Sequence, residues 1–127
     1  DVVPGQGRTL WVVNPGRHRL EEYSFGGDLI GHWERDGGMG LEDFCGCCNP
    51  SHVARLGDGS IVTSEKGLAR VKLYTRRGGF VGVVAAPRQF SDPQQAMDLA
   101  VDSRERILVA DSGRCEVRIF ESKTGRE

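Results

Sequence analysis

The feature that most constrains the fold is a hairpin pattern that occurs three times along the chain. Each copy begins with an apolar, largely β-branched run, passes through a glycine-containing turn and ends at an aromatic residue. The copies span residues 10–23, 61–74 and 107–120, so their starting points are 51 and 46 residues apart. Short apolar runs around a turn predict a β-hairpin. A hairpin that recurs at about this interval is typical of a propeller blade.

The segments that flank the hairpins repeat as well. Residues 27–33 and 79–84 follow the first two copies, and residues 52–59 and 98–105 precede the last two. A full unit therefore has four strands, a to d, and the chain is predicted to contain ten strands in the order b-c-d, a-b-c-d, a-b-c. Within a single segment covering 1–127, the predicted units are about 8–34 (partial), 51–85 and about 96–121 (partial), with a linker at 35–50.

The predicted fold class is all-β, a β-propeller segment of about three four-stranded blades. Closed propellers have typically 4–8 blades, so additional blades or association with another protein is needed to close this one. A β-sandwich is the alternative fold, although a sandwich does not require matching internal repeats.

Several short motifs carry a resemblance to a known family. Residues 109–113 read VADSG and are followed by VRIF at 117–120, while Asn49-Pro50 and Asp58-Gly59 precede strands a and b. These motifs resemble the signature of NHL repeats, which build β-propellers, and they imply a propeller of six blades. The sequence departs from that signature at 114–116, where the family often has two Asn and an Arg. The linker motif FCGCCNP is similar to one in a bacterial NHL-like subgroup.

The propeller prediction also sorts the loops between two faces. The b–c hairpins and the d-to-a connections share one face, and the a–b and c–d turns share the other. The linker 35–50 is therefore expected beside the hairpins at 14–18, 65–69 and 111–115. His52 and Asp98, which open two strands a, are expected at the mouth of the central channel. Loops that a rigid scaffold positions often carry function.

Three of the four cysteines lie in this linker. The candidate metal ligands are Cys45, Cys47, Cys48, His52 and Cys115. Thiolates and imidazole suit zinc, monovalent copper or an iron–sulfur cluster. The C-x-C-C spacing differs from the paired C-x2-C of zinc ribbons. A disulfide within the linker or to Cys115, and free thiols that pack as small apolar groups, therefore stay open as alternatives.

Other charged residues give weaker signals. Asp98, Asp102 and Asp111 offer oxygen ligands for calcium, but the interleaved pattern of a calcium loop is missing. Arg76 and Arg77 form a small basic patch without interleaved aromatic residues, so nucleic-acid binding is not predicted. The chain has 17 basic and 18 acidic residues, which excludes a protein that wraps a polyanion. It has no apolar run of about 18 residues, so no membrane span is predicted.

No nucleophile elbow or phosphate-binding glycine loop is present, and no catalytic residue is assigned. The sequence favours a non-enzymatic NHL-type scaffold that binds a protein and carries a cysteine cluster for metal binding or electron transfer, at a periplasmic or other extracytoplasmic location. One alternative is a metal-dependent propeller lyase or hydrolase in which axial His and Asp residues hold an ion that activates water. Another is a plain protein-interaction domain with structural disulfides.

Overall fold

The computed structural model describes residues 1–123 and contains three antiparallel sheets. Blade 1 consists of β1 (Val2–Pro4), β2 (Thr9–Asn14), β3 (Arg19–Ser24) and β4 (Leu29–Glu34). Blade 2 consists of β5 (His52–Arg55), β6 (Ile61–Glu65), β7 (Arg70–Tyr74) and β8 (Phe80–Ala85). Blade 3 consists of β9 (Leu99–Val101), β10 (Arg106–Asp111) and β11 (Glu116–Glu121). Within residues 1–123 the helices are two 3-10 turns, Pro15–Arg17 and Pro87–Gln89, and no helix there is long and apolar enough to span a membrane.

Blade 1 has one strand more than the sequence predicted. The strand β1 pairs with β2, with Val2 opposite Val12 and Val3 opposite Trp11. It has only three residues and ends at Pro4, which is too short for an alternating apolar pattern to identify it. Residues 1–123 therefore form eleven strands, and the count of ten was wrong by this innermost strand of blade 1.

The three hairpins have the same register, and this confirms the prediction of repeated propeller blades. In each hairpin the last residue of strand b lies opposite the first residue of strand c. These pairs are Asn14 with Arg19, Glu65 with Arg70, and Asp111 with Glu116. The innermost strands are also neighbours, because β5 lies in contact with both β1 and β9.

Two apolar clusters hold neighbouring blades together, and blade 2 contributes to both. Large apolar side chains each contribute about 1.5–3 kcal/mol when fully buried, so these clusters are the main source of stability. The cluster between blades 1 and 2 includes Trp11, Val13, Leu20, Trp33, Phe44, Val53, Ile61 and Tyr74. The cluster between blades 2 and 3 includes Val62, Val71, Val84, Phe90, Met97, Leu99, Ile107, Val109 and Phe120.

Candidate functional site

Phe44 anchors the linker 35–50 between blades 1 and 2. Its side chain is fully buried, and its ring centroid lies 6.0 Å from that of Trp33 and 5.6 Å from that of Tyr74. At the start of the linker, the Arg35 guanidinium donates a hydrogen bond to the carbonyl oxygen of Gly78. The linker is thus packed into the core by an aromatic residue that precedes the cysteines.

Asn49 fixes the other end of the linker. Its Nδ2 donates to the carbonyl oxygens of Cys45, at 2.5 Å, and of Lys66, at 2.9 Å. Its Oδ1 accepts from the backbone N–H of Lys66 at 2.9 Å, and its side chain is buried. These bonds hold the cysteine segment against the b–c hairpin of blade 2, on the face where the sequence placed it.

A buried ion cluster lies beneath the linker. Glu65, at the end of β6, pairs with Arg70 at 2.8 Å and with Lys72 at 2.5 Å, and no side chain of the three is more than 4% exposed. Lys72 Nζ also donates to the carbonyl oxygen of Asp43 at 2.5 Å. Burial lowers the pKa of Lys72, and the charge of Glu65 opposes this effect. The Cys45 N–H donates to Glu65 Oε2 at 3.0 Å, so the cysteine segment and the ion cluster share a carboxylate.

Blade 3 repeats this arrangement 46 residues further along the chain. Arg118 occupies the position of Lys72, and its Nη1 lies 3.2 Å from Asp111 Oδ2 and donates to the carbonyl oxygen of Gln89 at 2.7 Å. The Arg118 guanidinium lies 5.3 Å from the Phe90 ring centroid and 5.1 Å from that of Phe120. In blade 2, Lys72 Nζ lies 5.0 Å from the Phe44 ring centroid and 5.5 Å from that of Tyr74.

Gln95 takes the place of Asn49 in blade 3. Its Nε2 donates to Asp111 Oδ1 at 3.1 Å, and its Oε1 accepts from the Ser112 hydroxyl at 2.8 Å and the Gly113 N–H at 3.2 Å. Sequence analysis missed these anchors. The signal was present, because Asn49 and Gln95, Glu65 and Asp111, and Lys72 and Arg118 are all 46 residues apart.

The linker cysteines line one open cavity of about 510 Å³ above the blade 2 hairpin. Cys47 Sγ lies 2.8 Å from Cys48 Sγ, and both residues are exposed free cysteines. Cys45 Sγ lies 3.2 Å from Met39 Sδ, and Met39 lines the same cavity. The hydrogen bond with Cys47 raises the pKa of Cys48, and desolvation adds to this effect, whereas Lys66 opposes it.

The remaining predicted ligands lie elsewhere. His52 is the first residue of β5, and its Nδ1 lies 3.3 Å from the Oγ of Ser51, which precedes the strand. Cys115 lies in the hairpin of blade 3, where its Sγ lies 3.7 Å from the Ser112 carbonyl oxygen, and it lines a different cavity from Cys47. Among residues 1–123, no group of three or more His, Cys, Asp or Glu side chains is arranged to hold a metal ion. The structure therefore groups Cys45, Cys47 and Cys48, and adds Met39, which the sequence analysis did not select.

The aspartates considered for calcium have structural partners. Asp98 Oδ1 accepts from the N–H of Leu99 at 2.8 Å. Asp102 accepts from the Arg106 backbone N–H and pairs with its guanidinium at 2.6 Å, and these interactions lower the Asp102 pKa. Asp111 belongs to the ion cluster of blade 3.

The basic patch and the tryptophans belong largely to the contact between blades 1 and 2. Arg76 Nη2 lies 2.9 Å from Glu22 Oε1 across this contact. Trp11 and Trp33 are buried in the cluster that joins the two blades.

Comparison with known proteins supports the architecture alone. No protein-family model matches the chain, and no curated protein matches it in sequence. A solved structure, that of the selenomethionine-substituted virginiamycin B lyase from Staphylococcus aureus, matches with a TM-score of 0.58 and 12% sequence identity. The match covers 94% of this chain but 40% of the lyase chain, so this chain spans less than half of the lyase's length. Together with its three antiparallel sheets, this likeness identifies the chain as a partial β-propeller.

Proposed function

We propose that this chain is a non-enzymatic, NHL-type propeller module whose loop face carries a redox-active dithiol, Cys47 and Cys48. The observation that supports this proposal best is the Sγ–Sγ separation of 2.8 Å between two exposed cysteines. Two exposed thiols at this distance are close enough to be oxidised to a disulfide. We expect the module to act in an extracytoplasmic compartment, where disulfide exchange is common.

The reaction is a thiol–disulfide exchange with an acceptor that carries a disulfide. The Cys47 thiolate attacks one acceptor sulfur, and the other acceptor sulfur leaves as a thiolate that takes up a proton. Cys48 then loses its proton and attacks Cys47 Sγ, so the bond between Cys47 and the acceptor sulfur that it attacked breaks, and that sulfur leaves as a thiolate and takes up a proton. Two electrons pass from the cysteine pair to the acceptor. The raised pKa of Cys48 favours this order, because a higher pKa keeps Cys48 protonated while Cys47 attacks.

The position of the pair also favours a labile disulfide. Adjacent Cα atoms are about 3.8 Å apart, which is shorter than the 4.4–6.8 Å usual in disulfides, so the ring closed by Cys47 and Cys48 is strained. Strained, exposed disulfides are more oxidising than structural ones. The pair therefore passes its electrons only to a more oxidising acceptor or to an acceptor in large excess, so glutathione disulfide is used in large excess in the test below. The anchors at Phe44 and Asn49 hold the pair at the cavity while both sulfurs stay accessible.

Glutathione disulfide tests the proposal on the reduced chain. We expect two of the four thiols to be lost without a glutathione adduct, and peptide mapping to find the link between Cys47 and Cys48. C48S should trap a mixed disulfide on Cys47, since the resolving thiol is gone. The matched control C115S removes an exposed cysteine of another cavity and should react as the wild type does. Separate adducts on Cys47 and Cys48 in the wild type would contradict the proposal.

A soft metal site is the second candidate, and the contact of Cys45 Sγ with Met39 Sδ at 3.2 Å favours it. Thiolates and a thioether suit monovalent copper better than zinc. Anaerobic titration with Cu(I) should then give one bound ion per chain, with weaker binding in M39L and little binding in C47S. If metal analysis finds no stable Cu(I) complex, the sulfur cluster serves the dithiol reaction alone.

A further inference from the structure

A second cavity, of about 400 Å³, lies between blades 1 and 2 beside the c–d turn of blade 2. Sites for small molecules are typically clefts of about 300–1,000 Å³. None of the residues in its wall lines the cavity of the linker cysteines. We call it the junction cavity and define it by residues of both blades: Trp11, Glu22, Gly31, Trp33, Arg76 and Arg77.

The strand register of blade 1 explains why this cavity is open. Trp11 lies opposite Glu22, and Glu22 lies opposite Gly31. Residues opposite each other in an antiparallel pair project from the same face of the sheet. These three residues therefore form one row towards blade 2, because Trp11 is buried in the cluster between the two blades. A Cβ atom at Gly31 would meet nothing within 4 Å beyond its chain neighbours, so the outer end of the row is empty space.

The c–d turn of blade 2 brings two cations to this space. Gly78 in this turn has a φ of 86°, and a Cβ atom there would lie 2.5 Å from the Trp33 ring. Only glycine therefore lets the turn pack against the indole. Arg76 pairs with the buried carboxylate of Glu22 at 2.9 Å. Arg77 is exposed and has no ion-pair partner among residues 1–123, so it carries the unpaired charge of the cavity.

The indole groups in the wall have unused hydrogen-bonding capacity. The Nε1 atoms of Trp11 and Trp33 are both buried and have no hydrogen-bond partner among the described residues. Buried polar groups are nearly always hydrogen-bonded, and an indole N–H can only donate. The group that is missing here is therefore an acceptor.

The internal repeat shows that blade packing does not require these features. The equivalent row of blade 2, 51 positions later, is Val62, Leu73 and Gly82. Val62 and Leu73 belong to the apolar cluster that joins blade 2 to blade 3. The cavity beside this second row has Asp58 and Glu105 in its wall, so it does not suit an anion. The aromatic and cationic wall is thus particular to the junction of blades 1 and 2.

We propose that the junction cavity binds a small organic anion. Its carboxylate or phosphate group pairs with Arg77, because a guanidinium donates two parallel hydrogen bonds to either group. Its apolar body lies against the indoles of Trp11 and Trp33, where aromatic surface is available in the wall. Glu22 does not repel the anion, since Arg76 neutralises it. This site is separate from the dithiol and does not depend on it.

Fluorescence titration of the full chain tests the proposal, because Trp11 and Trp33 are its two tryptophans and both line the cavity. Benzoate and phenyl phosphate are the probes, and the tighter of the two identifies the anionic group. We expect a saturable change in emission, with one site per chain by calorimetry. Acetate lacks the apolar body and benzyl alcohol lacks the charge, so each should bind at least about tenfold more weakly. Absence of saturable binding by both probes, or equally tight binding of benzyl alcohol, would overturn the proposal.

Two variants locate the binding site. Gly31→Leu fills the empty end of the row, and Arg77→Gln removes the unpaired charge; each should weaken binding at least about tenfold. The matched controls are the equivalent positions of the next blade, Gly82→Leu and Lys123→Gln, which should bind as the wild type does. Circular dichroism checks that each variant keeps its sheet content. Arg77 is exposed, so Arg77→Gln decides the matter if leucine at position 31 disturbs the sheet. Wild-type affinity in Arg77→Gln would refute the site.

Discussion

At the scale of single residues, buried polar side chains beside the b–c turns of blades 2 and 3 hold the linkers against the hairpins. Glu65 accepts from two buried cations and from the backbone of Cys45. A buried ion pair is tolerated only when the hydrogen bonds of both partners are completed, and removal of one partner leaves an uncompensated charge. Here the linker carbonyl oxygens of Gly40 and Asp43 accept from the Arg70 and Lys72 side chains, and Arg70 Nε is left without a partner among residues 1–123. The ion cluster and the linker therefore stabilise each other.

We expect Glu65→Ala to destabilise the fold by about 3–5 kcal/mol, because Arg70 and Lys72 would lose their buried counter-ion. Urea denaturation followed by circular dichroism measures this loss. Glu116→Ala is the matched control, since Glu116 is an exposed carboxylate in the hairpin of blade 3, and it should change stability by less than about 0.5 kcal/mol. Equal small losses in the two variants would show that the cluster contributes little.

Glu21 predicts a pH dependence of stability. The hydrogen bond from the Tyr23 hydroxyl, at 2.7 Å, is the largest cause that lowers the pKa of Glu21 from 4.5 to about 2. Because the pKa is lower in the folded state, this carboxylate stabilises the fold at pH values above its unfolded pKa. That contribution is lost as the pH falls from about 4.5 towards about 2.

Tyr23→Phe tests this dependence. We expect the variant to be less stable than the wild type at neutral pH, and the difference to shrink as the pH falls through the acid range. Tyr74→Phe is the control, because the Tyr74 hydroxyl donates to the Glu42 carbonyl oxygen, which does not titrate. Its loss of stability should stay constant over the same range. A constant difference for Tyr23→Phe as well would argue against the coupling with Glu21.

At the scale of elements, the linkers behave as structural parts of the blades. Each linker inserts an aromatic residue, Phe44 or Phe90, beside a cation of strand c and then fixes the b–c hairpin with an amide side chain. The cysteine segment is therefore held at both ends, whereas its exposed cysteines are free to react.

We expect Asn49→Ala to loosen the cysteine segment. The variant removes the Asn49 partners of the Lys66 N–H and C=O groups, and the loss of such part-buried hydrogen bonds costs about 0.5–1.5 kcal/mol each. Thiol labelling of Cys45, whose carbonyl Asn49 holds, should become faster. Gln94→Ala is the control, because Gln94 lines the same cavity with an exposed side chain. If both variants label at the wild-type rate, Asn49 does not restrain the segment.

At the scale of the whole molecule, stability is distributed by contacts between neighbouring blades. Blade 2 packs on both of its sides, and every residue of β6 is buried. In such repeat architectures, stability is approximately a sum of the blade terms and the terms for their contacts. The middle blade therefore has the largest share of contacts within one chain.

Native-state hydrogen exchange should show this distribution. We expect the β6 amides to exchange most slowly and those of β2 and β10 to exchange faster, because within residues 1–123 blade 2 packs on both sides and blades 1 and 3 each pack on one side. Uniform protection would show that the three blades open together.

The sequence by itself determined the repeated hairpins, because apolar alternation, glycine turns and aromatic ends are properties of local segments. It also determined the number of blades and the linker that carries the cysteines. It missed β1, whose three residues are defined only by pairing with β2. Cys45, Cys47 and Cys48 are close in sequence and line the same cavity in the structure, and their role as metal ligands stays a prediction.

Only the tertiary structure decided which residues meet across the blades. The sequence analysis expected His52 and Cys115 on the same face as the linker cysteines. In the structure, His52 begins β5 and Cys115 lies in the hairpin of blade 3, and neither residue lines the cavity of the linker cysteines. Met39, Asn49 and the cluster of Glu65, Arg70 and Lys72 came together because the linker folds back onto a hairpin that is distant in sequence. Such contacts depend on the path of the chain through space, and no local pattern of residue types specifies that path.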